Sequence, residues 1–285
     1  MASASLPLIE IPATLTGTLR GAKALRSYEF DRCVILSHSW RSAFIPFSAL
    51  IPNRRGERGH WRSLMLTEVV ASGDNTAHLS RDYAALLGVP EQIISDDALI
   101  TVPNETRNAV QDVLDRRDPS LRKGPLFGLL PGAARGPSKR WPSESFVKLG
   151  KLLQVKFGGA VVVLGATNEQ ELCQDIAQAI GGRAWSFAGS LSFLEGLGMI
   201  EACNALVSND SGGMHMAWAL GRPLVAIFGI TDPEKTGPLG ARSRVLQDSE
   251  RRSRAVARDC PDARAALRRI TPQQACDAVE LVMDL

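Results

Sequence analysis

This chain lacks the residue patterns that covalent, metal and redox chemistry usually leave. Its five cysteines, Cys33, Cys173, Cys203, Cys260 and Cys276, show no CxxC spacing, and its four histidines form no HxxH or HExxH pattern. A structural zinc and a disulfide framework are therefore not expected, no metal ligands are assigned, and a reducing cytosol fits best. Long apolar runs are missing as well. The longest, such as Leu224–Phe228 and Ala160–Leu164, fall far short of the ~20 residues a bilayer span requires. The opening stretch MASASLPLIEIPATL has no basic region leading into an apolar one, so no signal peptide is expected. Neither a Walker loop nor a GxGxxG fingerprint occurs, which removes P-loop hydrolysis and dinucleotide-dependent oxidoreduction.

What is present is ordinary in bulk and uneven in detail. A length of 285 residues allows two domains, and 45% hydrophobic with 22% charged residues is the composition of a soluble globular protein. The net charge is only +3, but Arg54, Arg55, Arg58 and Arg62 crowd one segment and Arg251, Arg252, Arg254 and Arg258 another. Solvated surface charge accounts for the second cluster; for the first, an acidic ligand or anionic surface is an alternative. Nucleic acid is not expected, because no aromatic-studded basic face accompanies the arginines. Nothing in the sequence sets an oligomeric state.

Along the chain, a weak strand at Leu8–Ile11 and a helix at Thr18–Ser27 precede an apolar run at Arg32–Leu36. A helix at Ala43–Leu50, a short strand from Ile51 and a helix at Asp82–Leu87, stopped by Gly88, follow. Residues 1–118 then form one domain, and the proline-bearing, charged Pro119–Lys123 is the linker to a second, 119–285. Strands at Leu126–Leu130, Ala160–Leu164, Ala184–Phe187, Ala205–Val207 and Leu224–Phe228 alternate with helices from Ser143, Glu169, Phe193 and Met214. That spacing suits right-handed βαβ crossovers and a parallel α/β sheet. After Gly240 the pattern weakens until Thr271-Pro272 opens a closing helix to about Met283.

Two loops stand out in the second domain. Asn209-Asp210-Ser211-Gly212-Gly213 follows one apolar strand and leads into a helix carrying His215. Asp210 and Ser211 could simply cap that helix. Alternatively, free N–H groups at its start suit a phosphate, and the glycines permit close approach. Pro131–Pro142 follows another strand, with Gly132 and Gly136 for backbone freedom, Lys139 and Arg140 for positive charge, and Trp141 to pack the loop down. One cationic loop and one acidic, hydroxylated loop at the carboxyl edge of one sheet fit a nucleoside-diphosphate ligand.

PGAARGPSKRWP together with VSNDSGGMHMAWALGRPLVAIFG and the following TDP closely resembles the lipopolysaccharide heptosyltransferases of glycosyltransferase family 9, the heptosyltransferase II type above all. Phe187–Ser192 is similar to a further family segment, and Val34–Ser42, Pro46–Ala49 and Arg55–Gly59 resemble its acceptor domain. The resemblance implies a GT-B fold, two Rossmann-like domains facing each other across a cleft. It implies inverting, metal-independent transfer of heptose from ADP-L-glycero-D-manno-heptose to a Kdo-lipid A acceptor of the lipopolysaccharide inner core. No cofactor is implied beyond the ADP-sugar donor, and the enzyme would work in the cytoplasm, peripheral at the inner face of the inner membrane. By position, Lys139 resembles the family's donor-phosphate lysine. Gly132, Glu169, Asp210, Ser211, Gly212, His215 and Thr231 fall in its donor-binding segments, Glu169 as a ribose contact. Arg41, Arg58 and Arg62 are the acceptor contacts expected from the arginine-rich first half.

One departure bears on catalysis. The family opens with a strand, a Gly-Asp turn and a helix, and the turn aspartate is its proposed general base. The first 70 residues contain no Gly-Asp dipeptide, and about two βα units of ~30 residues each have no counterpart. Glu10, Glu29 and Asp31 are the carboxylates nearby, and none is assigned the role. A non-catalytic nucleotide-sugar-binding remnant is the alternative reading.

Overall fold

The computed structural model describes residues 11–12, 14–59, 61–71, 78–89, 98–250, 252–253 and 256–284. Residues 8–10 of the expected first strand, with Glu10, and Arg251 and Arg254 of the second arginine cluster lie outside this range. Two compact units divide the chain, Met1–Ile93 and Ile94–Leu285.

In the first unit, β1 (Arg32–Ile35), β2 (Asn53–Glu57) and β3 (Glu68–Val70) pair in parallel in that order. Helix α1 (Leu15–Arg26) starts where the Thr14 hydroxyl accepts from the Gly17 N–H. Helix α2 (Trp40–Ser48) starts three residues before the expected Ala43, because Ser39 caps it by accepting from the Ser42 N–H. Helix α3 (Leu79–Leu87) ends at Gly88, whose φ of 70° is the left-handed conformation a C-terminal glycine supplies. The apolar centres here are small: Ile35, Ala43, Met65 and Leu66 form one, and Ala22, Ala49 and Ile51 another.

The second unit carries a six-stranded sheet. Its strands are β4 (Leu126–Leu130), β5 (Ala160–Val163), β6 (Ala184–Ser186), β7 (Ala205–Asn209), β8 (Leu224–Phe228) and β9 (Ser243–Gln247). They lie in the order β6-β5-β4-β7-β8-β9, and all pair in parallel. This is doubly wound connectivity, and the strand order reverses between β4 and β7. Parallel sheets are covered on both faces, which is why β4, β5 and β8 read as near-continuous apolar runs and β7 begins as one before its polar Ser208 and Asn209.

Alternate strand residues divide between two cores. Phe127, Leu129, Val161, Val163, Val207 and Ile227 face α5 (Ser143–Phe157), α6 (Gln170–Ile180), α10 (Pro261–Arg269) and α11 (Pro272–Met283). Leu126, Leu130, Val162, Leu206 and Phe228 face α4 (Asn104–Arg117), α7 (Phe193–Ala202) and α8 (Gly212–Ala219). A one-turn helix, α9 (Pro233–Thr236), follows β8.

The division between units falls 25 residues before the expected boundary at 118. Helix α4 belongs with the second unit because Val110 and Leu114 are buried in the core it shares with α7. Residues Pro119–Arg122, expected as linker, form a 3₁₀ turn inside the second unit, with Leu121 buried in the same core.

Phe146 is fully buried and meets Trp141 edge-on, ring centroids 5.0 Å apart. Phe146→Ala should therefore destabilise the second unit by about 3–5 kcal/mol. Val155→Ala, at a position 86% exposed on the same helix, should stay within about 0.5 kcal/mol. Urea unfolding followed by tryptophan fluorescence distinguishes the two.

Candidate functional site

In a doubly wound sheet the carboxyl ends of the strands on either side of the order reversal open a crevice. Here the Pro131–Pro142 loop leaves β4 on one side of it and Asp210–Ser211 leaves β7 on the other. The register sets Leu130 beside Ser208, so both loops begin at the same height.

Asn209 joins them. Its Oδ1 accepts from the Trp141 backbone N–H at 2.9 Å, and its Nδ2 donates to the Pro131 carbonyl at 2.7 Å. One buried amide thus holds both ends of the cationic loop. The loop is fastened elsewhere too, by Trp141 Nε1 donating to the Ile270 carbonyl at 3.0 Å and by the Ser138 hydroxyl accepting from the Cys260 N–H at 2.6 Å. Asn209 was legible only as part of a turn; its amide beside a glycine-rich loop was the available signal.

Within this frame Lys139 Nζ makes an ion pair with Asp210 Oδ2, and the same oxygen accepts from the Thr231 hydroxyl at 2.8 Å. Asp210 and Thr231 are buried, and the Lys139 side chain is 14% exposed. Three residues read separately in the sequence therefore form one cluster. The capping alternative for this turn is not what the structure holds: Ser211 occupies the N-cap position of α8, yet its side chain makes no capping bond.

Beside the cluster lies an apolar pocket of about 360 Å³. Its floor and walls include Leu130, Gly132, Leu164, Glu169, Phe187 and Met216, with Ser211, Gly212 and Gly213 at the α8 end. Glu169 is fixed by accepting from the Ala166 N–H at 3.1 Å, and Arg140 Nη2 stands 3.9 Å from its other oxygen. Its carboxylate lies against Gly132, where a Cβ would come within 2.1 Å of Oε2, so the glycine is there for space. His215, one turn into α8, is exposed. Nearby Cys173 is no nucleophile at neutral pH, since burial pushes its thiol up to about 12. Among the described residues no group of three or more His, Cys, Asp or Glu side chains could hold a metal ion.

The three arginines expected at an acceptor are placed differently from one another. Arg41 donates to the Thr18 hydroxyl at 2.8 Å and to the Ile11 carbonyl at 3.0 Å, which ties α2 to the start of α1. Arg62 is fully buried, donates to the Ser37 carbonyl at 2.5 Å, and has its guanidinium pushed down by burial with Glu57 opposing the shift. Arg58 alone of the three has an exposed side chain. The neighbouring Arg54 and Arg55 also turn to backbone carbonyls, those of Met65 and Leu86. Glu29 and Asp31 precede β1 and so sit at its amino end. The carboxylate at the opposite edge is Glu57, ending β2, with His38 Nδ1 2.9 Å away; neither was singled out from the sequence.

Strand order and crevice define a doubly wound α/β protein, and the likeness to a solved heptosyltransferase II makes its fold GT-B. The chain belongs to glycosyltransferase family 9 (heptosyltransferase), whose family model matches residues 18–265. It is 33% identical over 238 residues to lipooligosaccharide heptosyltransferase 2 of Haemophilus influenzae, covering 80% of this chain and 68% of that protein. It is 36% identical over 233 residues to lipopolysaccharide heptosyltransferase 2 of Salmonella typhimurium, covering 79% and 67%. The solved ADP-heptose lipopolysaccharide heptosyltransferase II of Escherichia coli superimposes with a TM-score of 0.76 at 28% identity, covering 93% of this chain and 80% of that one. An Escherichia coli heptosyltransferase, WaaC, solved with ADP has the same fold at 19% identity, with a TM-score of 0.64 and coverage of 95% and 79%.

Gly132→Ala should force the Glu169 carboxylate aside at a cost of about 1–3 kcal/mol. The double variant Gly132→Ala/Glu169→Ala should recover most of that loss. Thermal unfolding of the four-member cycle measures it, and additive losses would show that the two do not clash.

Proposed function

We propose that this chain transfers heptose from ADP-L-glycero-D-manno-heptose to the lipopolysaccharide inner core, with inversion and without a metal ion. The observation that carries the reading is the crevice itself: the loops that bring Lys139 to Asp210 also line the pocket holding Glu169. The diphosphate would lie between the Lys139 ammonium and the first-turn N–H groups of α8, beside Gly212. The nucleoside would enter the apolar pocket, its ribose hydroxyls meeting the Glu169 carboxylate. Breaking the sugar–phosphate bond leaves negative charge on the departing ADP. A fixed ammonium and the positive end of a helix stabilise that charge as it develops. This gives the protein's own groups the task a divalent ion performs elsewhere.

On the acceptor side, Arg58 is the exposed cation that could meet an acidic, Kdo-bearing lipid, whereas Arg41 and Arg62 would shape the region from within. The names of the relatives support the choice of sugar and of the inner core. A lipid-linked acceptor and a soluble donor would bring the protein to the cytoplasmic face of the inner membrane.

Calorimetric titration with ADP in chelator-containing buffer should give saturable binding that Lys139→Ala weakens markedly but measurably and Lys148→Ala, on the exposed side of α5, leaves intact. With ADP-heptose and a Kdo-lipid acceptor, chelator should leave turnover unchanged, while Lys139→Ala should lower it by roughly 10²–10³-fold. No ADP binding by the folded chain would sink the donor-site reading. Binding without transfer would favour a non-catalytic nucleotide-sugar binder.

A further inference from the structure

We propose that Asp210 and Thr231 are positioning residues for Lys139 and do not themselves touch the donor. The carboxylate holds the ammonium at the crevice, and the threonine hydroxyl holds the carboxylate. The inference rests on the donor-site reading above only for what Lys139 meets in turn.

Burial increases along this line of contacts. Lys139 is 14% exposed, Asp210 6% and Thr231 5%, so the carboxylate lies behind the ammonium as approached from solvent. A single oxygen, Asp210 Oδ2, receives both the lysine and the threonine. A carboxylate can only accept, so the Thr231 hydroxyl is the donor and its hydrogen is already engaged. The adjacent pocket is lined by Ser211, Gly212 and Gly213; Lys139, Asp210 and Thr231 all stand outside its wall, so it is their order of burial that puts the lysine in front.

The backbone behind Thr231 is held as firmly. Gln247, on β9, donates from Nε2 to the carbonyls of both Gly229 and Thr231 at 2.7 Å. Support thus runs from the edge strand through the β8–α9 loop to the tip of the lysine on the β4 loop. Asn209 fixes the ends of that loop and Asp210, the next residue, fixes its charge.

The electrostatics favour the same order of contact. An ionised carboxylate facing a diphosphate directly would repel it, whereas one paired behind an ammonium leaves the lysine's other two N–H groups for anionic oxygens. Restricting a flexible four-carbon side chain beforehand lowers the entropy lost when the ligand arrives.

Two measurements on the full chain test this. The first needs no ligand: the rate at which an amine-reactive ester labels Lys139, followed by mass spectrometry with Lys148 as internal control. Asp210→Asn and Thr231→Val should each speed labelling of Lys139 severalfold without altering Lys148, and Thr231→Ser should restore the slow rate. An unchanged Lys139 rate in Asp210→Asn overturns the proposal. The second is ADP titration of Asp210→Asn in two backgrounds, circular dichroism confirming that each variant folds. Affinity should fall about tenfold when Lys139 is present and should not change further when Lys139 is alanine. Equal losses in both backgrounds would mean that Asp210 acts on the ligand directly, which also overturns it. Should Lys139→Ala leave ADP affinity untouched, the donor-site reading fails separately, and the labelling rates decide the positioning role alone.

Discussion

A carboxylate taken out of water must find positive charge and hydrogen bonds, and Asp210 finds both across the point where the strand order reverses. Removing a single partner from such a buried pair costs about 3–5 kcal/mol, because the remaining charge is stranded. That penalty couples loops which are 71 residues apart in sequence. The β4 loop can depart from its observed course only by abandoning the ion pair, and the β8–α9 loop only by removing the Thr231 hydroxyl from the same oxygen. Both loops therefore arrive at the crevice already shaped.

The surrounding fold makes this possible by being rigid where the loops begin. Strands β4 and β7 are buried along their whole length, and their pairing leaves Leu130 and Ser208 level at the carboxyl edge. Asn209 then converts strand register into loop position through two hydrogen bonds to backbone, one at each end of the loop. The first unit uses its polar groups in a similar way. Arg41, Arg54, Arg55 and Arg62 donate to carbonyls or to a hydroxyl, compensating for apolar centres of only a few residues.

Much of the second unit could be read from the sequence because its strands are apolar on both faces. Leu126–Leu130 and Leu224–Phe228 match the observed strands residue for residue. Strand β9 escaped because Ser243, Arg244 and Gln247 interrupt its apolar character at the edge of the sheet. Helix α10 escaped because its buried side is mostly alanine, Ala263 and Ala266 beside Leu267, among four charged residues. Helix α4 was not read from the sequence, and its packing could not be, since the burial of Val110 and Leu114 depends on a helix nearly a hundred residues further on. At the site, residue types pointed to Lys139 and Asp210, and the family resemblance to Thr231; their meeting at one oxygen follows from tertiary packing. The arginines show the converse limit. Charge pattern cannot distinguish a guanidinium turned toward solvent from one buried against a carbonyl, and Arg58 and Arg62 differ in that respect alone.

The placement of α4 also fixes where this polypeptide can be divided. A fragment beginning at Pro119 would keep every strand of the six-stranded sheet yet bare the side of it on which Val110 and Leu114 lie. The stripped surface would offer the flank of α7 and the apolar side chains around it to any neighbouring molecule, and self-association would replace the lost intramolecular cover. Beginning at Ile94 carries the helix along and leaves that surface closed. The boundary suggested by proline and charge and the boundary set by packing thus prescribe opposite outcomes for the same domain expressed alone.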